Sequence, residues 1–256
     1  MFRKILWFLI VTIVWALVLT GIDGVRHARA LRHLEARHAI FDDWHFRIVG
    51  GEALAPAHEE RGLRARWQAM VAVPGYVGLE QTTLDEPTVR NLALIRMGSL
   101  AVTECRGLSP ALMTEVSRIT SIHWFVSNDS DLTDEGLCLL WSGLPDLETA
   151  VVRSDRIGAD GFRTIGHARK LRELILGGRG ITDQVIAQVS AAPAVQSLAL
   201  DHAAVTEACA PFLAGMPPLR SVGWITPELD AVLVKRLKAL NPKLQLPDVG
   251  PPPSKP

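Results

Sequence analysis

The chain has 256 residues, 48% of them hydrophobic, with 27 basic and 27 acidic residues. That length and apolar content suffice for a large core, and the balanced charge excludes any overall pull toward nucleic acid, so no nucleic-acid partner is expected. Three cysteines, Cys105, Cys138 and Cys209, are an odd number without CxxC or Cys/His ligand spacing, and they read as reduced core thiols.

After a short tail, residues 1–4, the run "ILWFLIVTIVWALVLTGI" from Ile5 to Ile22 carries no charge. At about 1.5 Å per helical residue it is long enough to cross most of a hydrocarbon core, which predicts a transmembrane helix over 5–22 with membrane lipid as its first partner. Ala28-Arg29-Ala30 has the small-x-small form of a signal-peptidase site. The intervening "DGVRHARA" is charged and long for a cleavage region, so an uncleaved signal anchor is the expectation. Arg3 and Lys4 precede the span while Arg26, Arg29, Arg32 and Arg37 follow it, which leans the C-terminal domain toward the cytoplasmic side.

Residues 25–75 read as a juxtamembrane helical segment and N-terminal cap. Leu31, Leu34, His38 and Phe41 recur at helical spacing, with the arginines on other faces where lipid headgroups could meet them. His27, His33, His38 and His45, with Asp42 between the last two, are expected to be solvated histidines and no metal site, because no further ligand pair converges. Arg47-Ile48-Val49-Gly50-Gly51 locally resembles the activation site of trypsin-like proteases. No Gly-rich nucleophile segment follows it, nor is there a GxSxG, GxxxxGK[ST] or HExxH pattern, so it is expected to be a turn. "HEERGLRARWQAM" can form one more helix before the Pro74-Gly75 turn.

An internal repeat begins next. The pairs Leu84-Asp85, Leu108-Ser109, Leu132-Thr133, Ile157-Gly158, Ile181-Thr182 and Val205-Thr206 are separated by 24, 24, 25, 24 and 24 residues. Five residues after each marker stand Val89, Met113, Leu137, Phe162, Ile186 and Ala210; eight after stand Leu92, Val116, Leu140, Ile165, Val189 and Leu213. Offsets three apart define an inward helix face. The polar member of most pairs is an N-cap type, and Asp134, Asp183 and Glu207 follow in the first turn, where a carboxylate meets the positive helix end. Each unit is therefore expected to start a helix at the same place.

Ahead of each marker the period changes to two. Val77 and Leu79, Leu100 and Val102, Trp124 and Val126, Ala150 and Val152, Leu174 and Leu176, Leu198 and Leu200, and Val222 and Trp224 predict short strands with one buried face. In "LRELIL" and "VQSLAL" a further apolar residue precedes by three. With "LRELILGGRGITDQVIAQV" and "LTDEGLCLL" in view, residues 76–246 resemble the leucine-rich repeat superfamily, of the ribonuclease-inhibitor-like and F-box-adaptor type. The Asn or Cys that plugs the loop after the strand in that family is missing at most units, and the first two units lack the leading leucine. The resemblance implies an α/β fold: a right-handed solenoid with parallel strands on the concave face and helices on the convex face, here preceded by the transmembrane helix. Thr226-Pro227 then supplies an N-cap and a first helical residue, and Leu229, Leu233, Leu237 and Leu240 predict a capping helix. Residues 247–256, "DVGPPPSKP" with the residue before it, read as a disordered Pro-rich tail.

In this register the central outward column is Gly78, Ala101, Phe125, Val151, Ile175, Ala199 and Gly223. A Phe125, Val151 and Ile175 stripe edged by His123, Glu173 and Arg153, with Asp201 beyond, is the candidate protein-binding site. No catalytic, cofactor or metal residue is assigned, and the chain is not expected to be an enzyme. The expected function is a membrane-anchored, non-catalytic module that docks an unidentified protein or peptide on its strand face. The alternative is a structural envelope protein whose repeats self-associate as a rigid spacer.

Overall fold

The computed structural model describes residues 76–94, 97–224 and 231–246, the strand at 39–42, and residues 26, 29, 30 and 33. The expected span over 5–22, the Ile48 to Gly51 turn, the helix at 58–70, the Thr226-Pro227 cap and the tail at 247–256 lie outside the described residues. Among the described residues no helix is long and apolar enough to cross a membrane.

Eight strands form one sheet in chain order: β1 (Ala39–Asp42), β2 (Tyr76–Glu80), β3 (Ser99–Thr103), β4 (Trp124–Asn128), β5 (Thr149–Arg153), β6 (Glu173–Gly177), β7 (Ser197–Asp201) and β8 (Ser221–Trp224). β2 to β8 are parallel, each pairing with the next in the chain. Parallel neighbours need a crossover between them, and the helical segments of the repeat supply it. These are α1 (Glu86–Ala93), α2 (Pro110–Val116), α3 (Asp134–Gly143), α4 (Asp183–Val189) and α5 (Ala210–Ala214), with α6 (Ala231–Leu240) after β8. Repeating strand, loop and helix in constant register makes a leucine-rich-repeat-like solenoid.

The two helix columns read from the sequence, Val89 to Ala210 and Leu92 to Leu213, are all buried. Beneath the strands a third column runs Met97, Ile122, Leu147, Leu171, Val195 and Leu219. Each member stands three residues before the first inward strand residue, and Met97 takes the place of a leading leucine. Four N-caps also appear: the side chains of Asp85, Ser109, Thr133 and Thr206 accept from the backbone amides of Thr88, Leu112, Gly136 and Ala208, whereas Thr182 makes no side-chain cap bond.

First-turn carboxylates do more than meet a helix end. Asp134 Oδ1 accepts from Gly158 N at 2.8 Å, and Asp183 accepts from Thr206 N at 2.8 Å and Thr206 Oγ1 at 2.6 Å, so each ties its helix to the cap residue of the following unit. Asp131 reaches back instead, taking Gly107 N and Leu108 N at 2.8 and 2.9 Å. Cys105 and Ser130 occupy the loop-plugging position: Ser130 Oγ accepts from Cys105 N at 3.0 Å, and the Cys105 thiol donates to Leu79 O at 3.3 Å.

Four expectations need correction. β4 is turned over. Its register sets Phe125 against Leu100 and Ala150, and Ser127 against Val102 and Val152, so Phe125 and Ser127 face inward while Trp124 and Val126 face outward. A one-residue slip exchanges the faces of a strand, and pairing on both sides decides it. The unit after Ile157 lacks an α-helix and has two 3-10 turns, Ala159–Phe162 and Ile165–His167. Gly158 offers no side-chain cap there, and glycines at 161 and 166 weaken helix propensity. Phe162 and Ile165 stay buried because their three-residue offset suits a 3-10 turn equally. Phe41, expected on a helix, lies in β1, which pairs antiparallel with β2 and covers an otherwise open sheet edge. Lastly, Cys105 and Cys209 are core thiols, but Cys138 is only partly buried on α3.

The final turn closes the other end. Leu233, Val234 and Leu237 of α6 are buried whereas Leu240 is exposed, and Gln245 N donates to Arg220 O while its carbonyl accepts from Val222 N.

Candidate functional site: the open strand face

With β4 corrected, the outward side of the sheet has three columns. The first is Tyr76, Ser99, Trp124, Thr149, Glu173, Ser197 and Ser221; the central one is Gly78, Ala101, Val126, Val151, Ile175, Ala199 and Gly223. The third is Glu80, Thr103, Asn128, Arg153, Gly177 and Asp201.

Phe125, placed in this site by the sequence reading, is 1% exposed and belongs to the core. Trp124 takes its place on the face with 44% of its surface exposed. Val126 and Ile175 are half-buried, and Val151 between them is nearly covered. His123 lies just before β4 and is exposed; its carbonyl accepts from the Glu148 and Thr149 amides at 2.8 and 3.1 Å, continuing the ladder beyond the strands. The sequence carried a signal for the correct register: Ile122 stands three before Phe125, and Leu132 seven after it, as in most other units.

Arg153 and Asp201 do come together. Arg153 Nε lies 3.1 Å from Asp201 Oδ2 and Nη1 donates to Asn128 Oδ1 at 3.3 Å, so one side chain joins β4, β5 and β7. It passes over β6 because residue 177 is glycine: a Cβ there would stand 2.8 Å from Arg153 Cγ. With side chains 33% and 14% exposed, the pair is partly shielded, which favours a fixed guanidinium over a freely solvated one. His202 Nδ1 also meets Asp201, through Oδ1, at 2.9 Å. Gly178, directly after β6, has φ +108°, a left-handed backbone where a Cβ would come 2.5 Å from Ser154 O.

At the other edge Thr149 Oγ1 approaches Glu173 Oε2 at 3.5 Å, and Ser221 Oγ donates to Ser197 Oγ at 3.1 Å. The face thus has an apolar floor, the projecting Trp124, the exposed carboxylates Glu80 and Glu173 and a cross-strand polar network. Among the described residues no group of three or more His, Cys, Asp or Glu is arranged to hold a metal ion.

No family model matches the chain, and no curated protein matches it. Among solved structures it is similar to an internalin C2 from Listeria monocytogenes, at 13% identity and a TM-score of 0.42, over 72% of this chain and 84% of that one. The repeat architecture stands on the strand register and buried columns described above.

Proposed function

We propose that the protein is a membrane-anchored leucine-rich-repeat protein whose strand face is a non-catalytic docking surface for another protein or peptide. The observation that carries this reading is the Trp124, Val126 and Ile175 stripe, bordered by the Arg153, Asn128 and Asp201 network. A large aromatic beside an apolar floor, with polar groups around it, is the composition of an interface centre and its rim. The uncharged run from Ile5 to Ile22 supports the anchor, and the arginines after it favour a cytoplasmic repeat domain.

Photo-crosslinking of the full-length protein in its native membrane tests the reading, with the reactive residue at Ile175 and a control at Gln188 on α4. A discrete partner trapped from Ile175 and not from Gln188 is the expected result. Crosslinks only to further copies of the chain would assign the repeats a self-associating structural role, and equal labelling from both sites would remove the face as a docking surface.

A further inference from the structure

The two ends of the strand face differ in what they leave unpaired. Arg153 is held by Asp201, so these two charges compensate each other. At the Trp124 end, Glu173 is exposed and makes no ion pair among the described residues; Thr149 Oγ1 approaches its carboxylate at 3.5 Å. Arg172, just before it, donates its backbone amide to Glu148 O at 2.8 Å, and among the described residues its guanidinium makes no ion pair with Glu173 or Glu148.

Spacing makes this end a receptor for a particular group. Trp124, Thr149 and Glu173 occupy the same column on β4, β5 and β6, so Trp124 and Glu173 are separated by two strand spacings, about 9.6 Å at about 4.8 Å per strand. Thr149, short and half-buried, forms the floor between them. A cation within about 6 Å of an indole centroid is attracted by the ring, and a carboxylate on its other side completes a charge-assisted hydrogen bond at about 2.8 Å. A guanidinium or ammonium group fits that gap; a carboxylate would face Glu173 without compensation.

We infer that Trp124, Thr149 and Glu173 form a cation pocket, and that the partner on the strand face is a protein segment presenting an Arg or Lys beside an apolar residue seated on Val126, Val151 and Ile175. The inference rests on the docking reading above and adds the chemistry of the partner. The indole attracts the cation electrostatically, Glu173 sets its sign, and the Arg153 network bounds the segment at the opposite edge.

A randomised peptide library displayed on phage, selected against the full-length protein in detergent micelles, provides the probe. Selected peptides are expected to carry Arg or Lys next to an aliphatic or aromatic residue. Their binding should fall roughly tenfold with Trp124→Ala, with Glu173→Gln, and when the peptide Arg is replaced by neutral citrulline. Peptides that lose binding with Ile175→Asp but are indifferent to Glu173→Gln and to citrulline would overturn the cation pocket while leaving the docking face in place. If no selected peptide depends on Trp124 or Ile175, the docking face itself is overturned; occupation by a second copy or by residues 43–75 gives that same negative result. Circular dichroism of each variant separates lost binding from lost folding.

Discussion

β4 and β6 occupy equivalent places in units two apart, yet they divide their residues between core and surface differently. β6 sends Leu174 and Leu176 inward, above Leu171, and all are fully buried. β4 sends Phe125 and Ser127 inward, and Ser127 Oγ, buried among apolar neighbours, has no hydrogen-bond partner among the described residues. Leaving such a hydroxyl unsatisfied costs about 1–3 kcal/mol. In the same strand a tryptophan is left facing out. β6 fills both inward positions with leucine, whereas β4 tolerates an imperfect core position next to the most prominent side chain of the outer face. A departure from the repeat at one strand and not its neighbours is where a binding surface is best sought.

The sharpest way to break this comparison is a pair of neighbouring substitutions. Phe125→Asp should abolish the cooperative unfolding transition, because a carboxylate would enter the core without a partner; Trp124→Asp, one residue away, should retain it. Retention in both variants, or collapse in both, would refute the β4 register.

Next in size is Gly161→Ala. A Cβ there would lie 2.8 Å from Asp134 Oδ1 and 3.2 Å from Leu137 Cδ2, while the Gly161 carbonyl accepts from Trp141 Nε1 at 2.9 Å. Displacing that loop breaks the tie from Asp134 to the next unit and disturbs the buried Trp141, whose ring centroid lies 6.0 Å from that of Phe162. A loss of about 1–3 kcal/mol in urea unfolding is expected. An unchanged midpoint would mean that the 3-10 unit yields freely.

Ser127→Ala should act in the opposite direction. Removing the unpaired hydroxyl is expected to stabilise by about 1 kcal/mol, seen as a higher unfolding midpoint at unchanged slope. Destabilisation would show that Ser127 has a partner the comparison omits.

The smallest effect concerns the thiols. Burial pushes Cys209 up to about 12 and also raises Cys105, whereas Cys138 is partly exposed and donates to Asp160 O at 3.1 Å. A thiol-specific reagent near neutral pH should label Cys138 in the folded protein and reach the other two only on unfolding. For Cys209 the folded value exceeds the unfolded one, so its contribution is fully present below about pH 9 and is lost as pH rises toward 12. A Cys209 labelling rate equal to that of Cys138 would contradict the burial.

Much of the architecture was legible because it repeats. Leu84, Leu108, Leu132, Ile157, Ile181 and Val205 set a register that single-residue ambiguities could not hide, and the inward helix residues followed from it. The candidate site was legible only in part. Arg153, Glu173, Ile175 and Asp201 lie on the open side as expected, but Phe125 does not, and Trp124, Val126 and Asn128 were missed. Two apolar residues at 124 and 126 satisfied strand alternation better than Phe125 and Ser127, and alternation contains no information about neighbouring strands. Likewise the glycines at 158, 161 and 166 lay within a helical spacing that a 3-10 turn satisfies as well.

The sequence by itself determined the period, the buried helix columns and most of the N-caps, because these depend on contacts within one unit or on a spacing repeated many times. Only the tertiary structure decided which face of β4 turns outward, how Arg153 crosses Gly177 to reach Asp201, and that Asp134 and Asp183 tie one unit to the next. Those features depend on side chains about 24 or more positions apart in the chain being brought to strand spacing, which stacking of the units accomplishes and local pattern does not record.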